Sequence, residues 1–577
     1  MTTGILIALR RRMGMVRGDE RGLAIVAVLA VSAVLTLLLS ATAAFTVNQL
    51  KQVHNDEDWQ ASLAAAQSGI DEYVSHLNED GTYWQFGNAS NPYTTGSSIT
   101  GTGGNAAFTG WVSLPGTVGR GQFRYEINNS QYAGRGLLQI RSSGKVGTQV
   151  RTVEAFLRRR SFIDFLYFTD FETKDPALYT GSGEYTPAQA QTNCSKYWYN
   201  GRPTGSGQCT DIQFATADTI NGPLHTNDAF LACSGNRSGS PNKGPAFMGD
   251  TSTSYKPASG KRYREACNNS LTPYFARSGD PKSVDPLTMP PTNGSLKREV
   301  NPAYTPTPGC LYSGPTRVVL NNNGTMNVTS PTSTAAANRS QGRCGTGNNL
   351  ALPQNGVLYV QNVPSPADAY TNASPSPACT ASGNRLGYPQ EGDVSTYSCT
   401  AGDVFVEGTL SGALTIAAEN SIIATWHIDY NTGTGANDML GLIANNYIEV
   451  YHPYGKTCLA HSGAACTSWS ASSSNLNVAG HSAVFTDVRI SAAILSVNHS
   501  FRVQNYNSGN ALGTLNVTGA IAQRYRGIVG TGGGSGTGFV KNYVYDPRLK
   551  YSSPPKFLDP VQSAFGPSQW SELSPAY

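Results

Sequence analysis

The chain is poor in charge. Asp, Glu, Lys and Arg make up 14% of its 577 residues and leave a net charge of +4, where ordinary domains carry about 25% charged residues. So even a balance gives no general reason to expect nucleic acid as a partner. There is no Cys-x-x-Cys pair, and the close Cys/His sets that a zinc site needs are missing. No Gly-x-Ser-x-Gly occurs, and the bare Gly205-Ser206-Gly207 lacks the spacing of a nucleophile elbow. The stretch GTGGGSGTG, Gly530 to Gly538, has no closing Lys-Ser/Thr and no helical pattern after it, so it reads as a loop rather than a phosphate cradle. Glycine and proline number 62 and 32. They are too scattered for collagen, and the aromatic and β-branched residues around them are too many for a disordered chain.

Beyond residue 47 no stretch approaches a membrane span, but one precedes it. From Leu23 to Val47 every residue is apolar, Ser or Thr, and about 25 residues at ~1.5 Å each reach roughly 37 Å, more than the ~30 Å hydrocarbon layer. A cleavable secretory signal has an apolar core of only about 7 to 15 residues. Ala41 to Ala44 mimic a cleavage site, yet the run before them is already too long. Arg10, Arg11, Arg12, Arg17 and Arg21 precede the run, whereas Lys51 and the acids Asp56, Glu57 and Asp58 follow it. The positive-inside bias therefore places the N-terminus in the cytoplasm and the large C-terminal part outside a cytoplasmic membrane crossed once. In that topology Arg17-Gly18-Asp19 is cytoplasmic, and its likeness to an adhesion tripeptide is chance.

No helix breaker separates Val47 from the next stretch, in which Leu50, Val53, Leu63, Ala66, Ile70, Tyr73 or Val74, and Leu77 recur mostly at three- and four-residue intervals. A helix from Gly22 to about Leu77 is expected, with a lipid-embedded first half and an amphipathic second half laid on something. The turn residues Asn78 to Gly81 end it. Short runs then follow at Ala107 to Val112, Gly121 to Asn128, Gly136 to Ser142 and Val146 to Leu157, aromatic or β-branched and separated by Gly, Pro and Asn, as strands are.

A short basic leader ending at Gly22, an uncharged run from Leu23, a continuous helix with Ala65-Ala66-Gln67-Ser68-Gly69 near its end and then an antiparallel sheet resemble a type IV pilin-like protein. The likeness is to the branch with a PilX-type N-terminal region, whose helix ends in a motif like Ala-Ala-Glu-Ala-Gly; it covers about residues 10 to 80 well and 105 to 172 loosely. The resemblance implies that a prepilin peptidase cuts after Gly22, that Leu23 is the mature N-terminus, and that the N-terminal helix packs with those of other pilin subunits. Major pilins carry a Glu five residues into the mature chain, where this sequence has Ala27. A buried carboxylate is costly without its partner, so its loss removes a register device and leaves membrane storage intact. Several minor pilins and the large tip pseudopilin of type II secretion resemble this chain in lacking it. The head is also far larger than a pilin domain, which points to a filament tip, a low stoichiometry or an assembly complex.

Ten cysteines, Cys194, Cys209, Cys233, Cys267, Cys310, Cys344, Cys379, Cys399, Cys458 and Cys466, all lie on the exported side, and an even count there suits disulfides. Connectivity does not follow from sequence. Pairing in succession would close five loops rich in Pro, Gly, Ser and Asn, each about 3 kcal/mol for a loop of ~15 residues.

From about Phe162 onward the chain repeats short Val/Ile/Leu strands broken by Gly or Asn: Asp218 to Asp228, Thr316 to Val328, Gly356 to Val363, Gly402 to Asp429, Asp438 to Pro453, Val488 to Gln504 and Thr514 to Gly527. Units of about 20 to 30 residues suit a parallel β-solenoid, in which each coil buries its inward face on the next; an ordinary sandwich is the competing fold. The expected organisation is a basic leader (1–22), a transmembrane helix (23–47), its amphipathic extension (48–80), a pilin-like antiparallel region (81–172), a solenoid start with cysteine-bearing insertions (173–400), a solenoid (401–545) and a Pro-rich tail (546–577). The fold class is thus mainly β with one long N-terminal helix.

Candidate chemistry is sparse. His225 with Asp228 and His427 with Asp429 have no further ligands at metal spacing. Arg524 and Arg526, two apart, would share a strand face, with no acids near them in sequence. Arg158 to Arg160 would touch DNA only if the pilus served uptake, and otherwise form a solvated strand end. No enzyme activity and no cofactor or metal are expected. The expected function is that of a minor pilin-like, membrane-anchored surface protein of pilus assembly or the filament tip, adhesive through a surface or polysaccharide ligand. The alternative is an anchored β-solenoid carbohydrate-active enzyme, or an adhesin with no filament.

Overall fold

Between Leu23 and Ser68 there is neither glycine nor proline, and a single helix, α1, runs unbroken over Glu20–Glu79. At ~1.5 Å per residue it is about 90 Å long. The computed structural model describes residues 20–117, 119–132, 136–159, 161–215, 218–232, 245–265, 273–277, 279–333, 344–363, 384–433, 437–463, 465–531, 536–561 and 564–577. Residues 1–19, within the stretch expected to be a basic leader, lie outside them.

The last third of α1 lies on an antiparallel sheet of β1 (Val112–Ser113), β2 (Gly121–Asn128), β3 (Leu138–Val146) and β4 (Gln149–Arg159). Alternate residues face the helix, as the two-residue period of a strand requires. Phe123, Tyr125, Ile127, Leu138, Ile140, Val153, Ala155 and Leu157 are buried with Ala66, Ile70, Tyr73 and Leu77 in one core. A fifth strand, Phe565–Leu573, closes this sheet on the outer side of β4. It falls in the stretch expected to be a Pro-rich tail. An edge position tolerates Pro567, because an outward-facing position needs no N–H, and the register shifts between Pro567 and Gln569. The run from Ala107 is likewise no strand. Asn105 Oδ1 accepts from Ala107 N at 2.8 Å and caps a 3₁₀ turn, Ala106–Phe108.

The head is built from parallel pairs. Cys310–Ser313 pairs with Val357–Gln361, which pairs with Ala413–Ala418, then Met439–Ala444, Arg489–Ser496 and Ala511–Tyr525 in turn. A second column runs from Thr316–Leu320 through Val404–Leu410, Ile422–Tyr430 and Ile448–Val450 to Phe501–Val503. The rungs of the first column are buried on both faces and are largely apolar rather than alternating, whereas those of the second carry charged side chains such as Arg317, Glu449 and Arg502. One hydrophobic core extends from Phe162 to Phe557. An antiparallel hairpin (Thr316–Leu320 with Thr325–Thr329) interrupts the regular order.

The order of rungs is not the order of the chain. Strand β5 (Tyr167–Phe171), the first of the head, pairs with Ala511–Tyr525 on one side and Leu224–Thr226 on the other, and Thr251–Thr253 and Lys282–Ser283 continue beyond. The earliest head segment thus stacks on the latest. The antiparallel region therefore stops at Arg159 and β5 already belongs to the parallel stack, which moves the boundary expected at residue 172. From Lys282–Ser283 the chain must return past the whole column to reach Cys310. Asn293 pins that return: its Nδ2 donates to Ala418 O at 2.7 Å and Ile443 O at 3.3 Å, and its Oδ1 accepts from Tyr359 Oη at 3.1 Å. Asn355 Nδ2 then holds Glu299 O at 2.7 Å.

Candidate functional site: an apolar rod on a sheet-braced neck

Over 24–57 every residue of α1 is exposed, and the apolar ones are no exception: Leu37 is 71% exposed. Among the described residues one helix, Ala24–Glu79, is long and apolar enough to cross a membrane. Its polar atoms are satisfied from within. The hydroxyls of Ser32, Thr36, Thr42 and Thr46 donate to the carbonyls of Leu29, Ser32, Leu38 and Thr42 at 2.6 to 3.0 Å, and Ser40 Oγ donates to Thr36 O. Back-bonding of this kind lets a hydroxyl enter an apolar phase without an orphaned donor.

Contact with the sheet starts at Asp58, which pairs with Arg120 at 2.8 Å, and Trp59, whose ring lies 4.7 Å under Arg151. Leu50 and Val53, read in the sequence as part of the packed stripe, remain exposed. Seating proper begins at Ser62. There the small residues of Ala65-Ala66-Gln67-Ser68-Gly69 divide by face: Ala65, Ala66 and Gly69 are buried and Gln67 is exposed. Opposite them stands Gly144 of β3, where a Cβ would strike Ala66 N and Ser62 O and come within 2.7 Å of Ala65 C. Helix and strand thus meet backbone to backbone. One turn on, Tyr125 Oη donates to Glu72 at 2.5 Å, and Asn105 Nδ2 reaches Glu72 at 3.2 Å and Tyr125 Oη at 2.6 Å. This carboxylate locks the rotation of the helix about its axis, because it accepts both from strand β2 and from the Asn105 loop.

Gly22 and Leu23 fall in the first turns of α1; the side chains around them are outside the described residues. His225, at the core of the head, holds Ser252 Oγ at 3.0 Å and Asn227 Oδ1 at 3.1 Å, while Asp228 accepts from the N–H groups of Glu172, Trp198 and Ala229. His427 Nδ1 accepts from Arg489 N, and Asp429 binds the Arg489 guanidinium at 2.9 Å. Arg158 Nη1 donates to Leu549 O at 3.0 Å, Arg158 pairs with Asp164, and Arg159 covers Phe565. Arg158 therefore clamps the neck to the head, Arg159 packs within the neck sheet, and Arg160 lies outside the described residues. For Arg524 and Arg526 the fold corrects the expectation. The strand ends at Tyr525 and Arg526 turns inward to Glu172 at 2.8 Å, while Arg524 stays on the flank, 3.9 Å from Asp170. Their acids come from β5 and its end, more than three hundred residues away in the chain, which no reading of local sequence detects.

Disulfides join Cys194 to Cys209, Cys310 to Cys344 and Cys458 to Cys466, with Cα separations of 5.4, 5.3 and 5.8 Å. Cys399 is also disulfide-bonded; Cys233, Cys267 and Cys379 lie outside the described residues. The bridges Cys310–Cys344 and Cys458–Cys466 brace different things. Cys310 is buried at the end rung of the stack, whereas Cys458–Ser462 and Ala465–Trp469 form an exposed hairpin. Replacing Cys310 and Cys344 together by Ser is expected to lower the unfolding free energy by about 4 kcal/mol, the chain-entropy value for a loop of ~34 residues. The same change at Cys458 and Cys466 should leave global stability nearly unchanged, because a peripheral hairpin opens locally. Denaturant titration without reductant distinguishes the two.

No protein-family model matches the chain, and no curated protein does. Among solved structures, that of the competence-associated pilin ComZ from Thermus thermophilus aligns over 89% of this chain and 97% of its own, at 12% identity and a TM-score of 0.24. At that score the likeness carries no argument for fold or function.

Proposed function

We propose that the chain is a pilin-like, membrane-anchored surface protein that takes part in type IV pilus assembly or sits at the filament tip, with its head displayed as an adhesive surface. The observation that carries this reading is the exposed apolar length of α1 passing without a break into a helix seated on an antiparallel sheet. An apolar surface this extensive needs a cover. Lipid supplies it while the subunit is stored. Small residues such as Ala24, Ala27 and Ala30 let the helices of neighbouring subunits approach closely once it is assembled. A mere tether has no use for a rigid continuation locked against a sheet at Gly144 and Glu72. The arginine-rich flank supports a cytoplasmic N-terminus, within reach of a prepilin peptidase that cuts after Gly22. A head of this bulk would crowd neighbours along a shaft, which favours the tip or an assembly complex.

Mass spectrometry of the native N-terminus tests the proposal. The expected chain begins at Leu23, and Gly22→Leu is expected to retain the leader and to abolish incorporation into appendages. Wild-type protein with its leader intact, or a Gly22→Leu variant that matures and assembles normally, would overturn it.

A further inference from the structure

Ile423, Glu449 and Arg502 stand in register on three successive parallel rungs, about 4.8 Å apart, and form the floor of a cleft of about 300 Å³. Residues 395–398, next to the bonded Cys399, form its wall. Of the residues lining the cleft, Ile423 alone is apolar. That composition is unusual, because small-molecule sites of 300 to 1,000 Å³ are mostly apolar with a few polar groups. An apolar ligand would leave these groups without partners, at a cost of about 1–3 kcal/mol each.

The polar groups are fixed in place. Gln504 Nε2 donates to Glu449 at 2.6 Å and its Oε1 accepts from Tyr397 Oη at 2.9 Å, while Arg502 pairs with Glu449 and lies 4.4 Å over the ring of Tyr447. Asp403 accepts from Asn420 Nδ2 at 2.6 Å and Ser421 N at 3.1 Å. Glu449 is engaged at both oxygens, Oε2 by Gln504 and Oε1 by the Arg502 guanidinium, and the buried Arg502 Nε makes no hydrogen bond. Charge narrows the class of ligand. The single cation is already matched by Glu449, so an anion finds no free partner; burial pushes the Asp403 carboxyl up to about 7, so a cation finds little surplus negative charge. What remains is a ligand that is uncharged and carries many donors and acceptors.

We propose that this cleft binds the uncharged sugar units of a glycan, with Tyr397, Asp403, Glu449, Arg502 and Gln504 as the recognition groups. The inference deepens the reading of the head as an adhesive surface. It is independent of cleavage at Gly22, so failure of one leaves the other standing.

The test is calorimetric titration of the full chain in detergent with maltotriose, cellotriose and tri-N-acetylchitotriose, and in separate arms with inorganic phosphate and calcium. Saturable binding of at least one sugar, with Kd in the millimolar range or tighter, is expected. Gln504→Leu removes the bridge between Glu449 and Tyr397, and Thr396→Trp fills the mouth from an exposed position on the wall. Each is expected to weaken binding at least about tenfold, while Leu459→Ser on the exposed hairpin leaves it unchanged. Should Gln504→Leu melt early, Thr396→Trp still decides the question. No sugar bound at about 10 mM, sugar binding that survives Thr396→Trp, or binding of phosphate or calcium alone would overturn the proposal.

Discussion

Gly144→Val is expected to release α1 from the neck sheet. Secondary-structure preference alone points the other way, because Val suits a strand interior better than Gly. Contact geometry decides the sign. The new Cβ would occupy the place of Ala66 N and Ser62 O, and these are helix backbone atoms that cannot rotate aside. The helix would have to lift, uncovering Tyr73, Ile70 and Leu77 from a shared core. A loss above about 4 kcal/mol is expected, the range reserved for overpacking and core exposure. Limited proteolysis of 60–80 and a thermal melt measure it. Gly69→Ala should cost far less, because its new methyl meets the side chains of Ser142 and Phe123, of which the serine hydroxyl can turn away. Gly110, whose Cβ would meet nothing nearer than Ala106 O at 4.0 Å, serves as the neutral control. Unchanged stability of Gly144→Val would mean that the close seating of helix on strand is not real.

Arg526→Met is expected to loosen the junction between the first and last segments of the head. The guanidinium is buried, donates to Glu172 at 2.8 Å and to Gln213 O at 3.2 Å, and lies 3.6 Å over the ring of Phe214. Beyond Glu172 the charges continue toward the surface: Glu172 N donates to Asp228, which pairs with Arg202, which pairs with Asp211 at 2.8 Å, which takes Arg264 at 2.7 Å. Removing one member of a buried pair strands the other, and the cost is about 3–5 kcal/mol. Glu172 is badly placed to absorb it, because its Oε1 already lacks a hydrogen bond. Adding Glu172→Leu to Arg526→Met should restore most of the stability, since replacing both charges with apolar groups can be nearly neutral. Additive losses in the double variant would show that Arg526 acts through its packing on Phe214 and not through its charge.

What could be read in the sequence was what local chemistry fixes. The length of α1 follows from the absence of breakers between Leu23 and Ser68, whereas the small residues around Ala65 stood out only as a motif, with nothing local to show that they meet Gly144. The three described bridges join cysteines that are neighbours in sequence, because each closes a loop that departs from and returns to one place. The order of the rungs left no such trace. Parallel pairing is decided by contacts hundreds of residues apart, and β5 looks the same whether it starts a column or is inserted within one. The same distance hid the acids facing Arg524 and Arg526. The strand Phe565–Leu573 was hidden by Pro567, which argues against a central strand and is permitted at an edge.

Two covalent crossings, residues 159–167 and 545–565, join the neck to the head, and they leave the neck from adjacent antiparallel strands. A pull that draws the head away from α1 is therefore divided between two chain segments. Both must be peeled from one sheet before either runs free, so the attachment resists mechanical load as a doubled strap does.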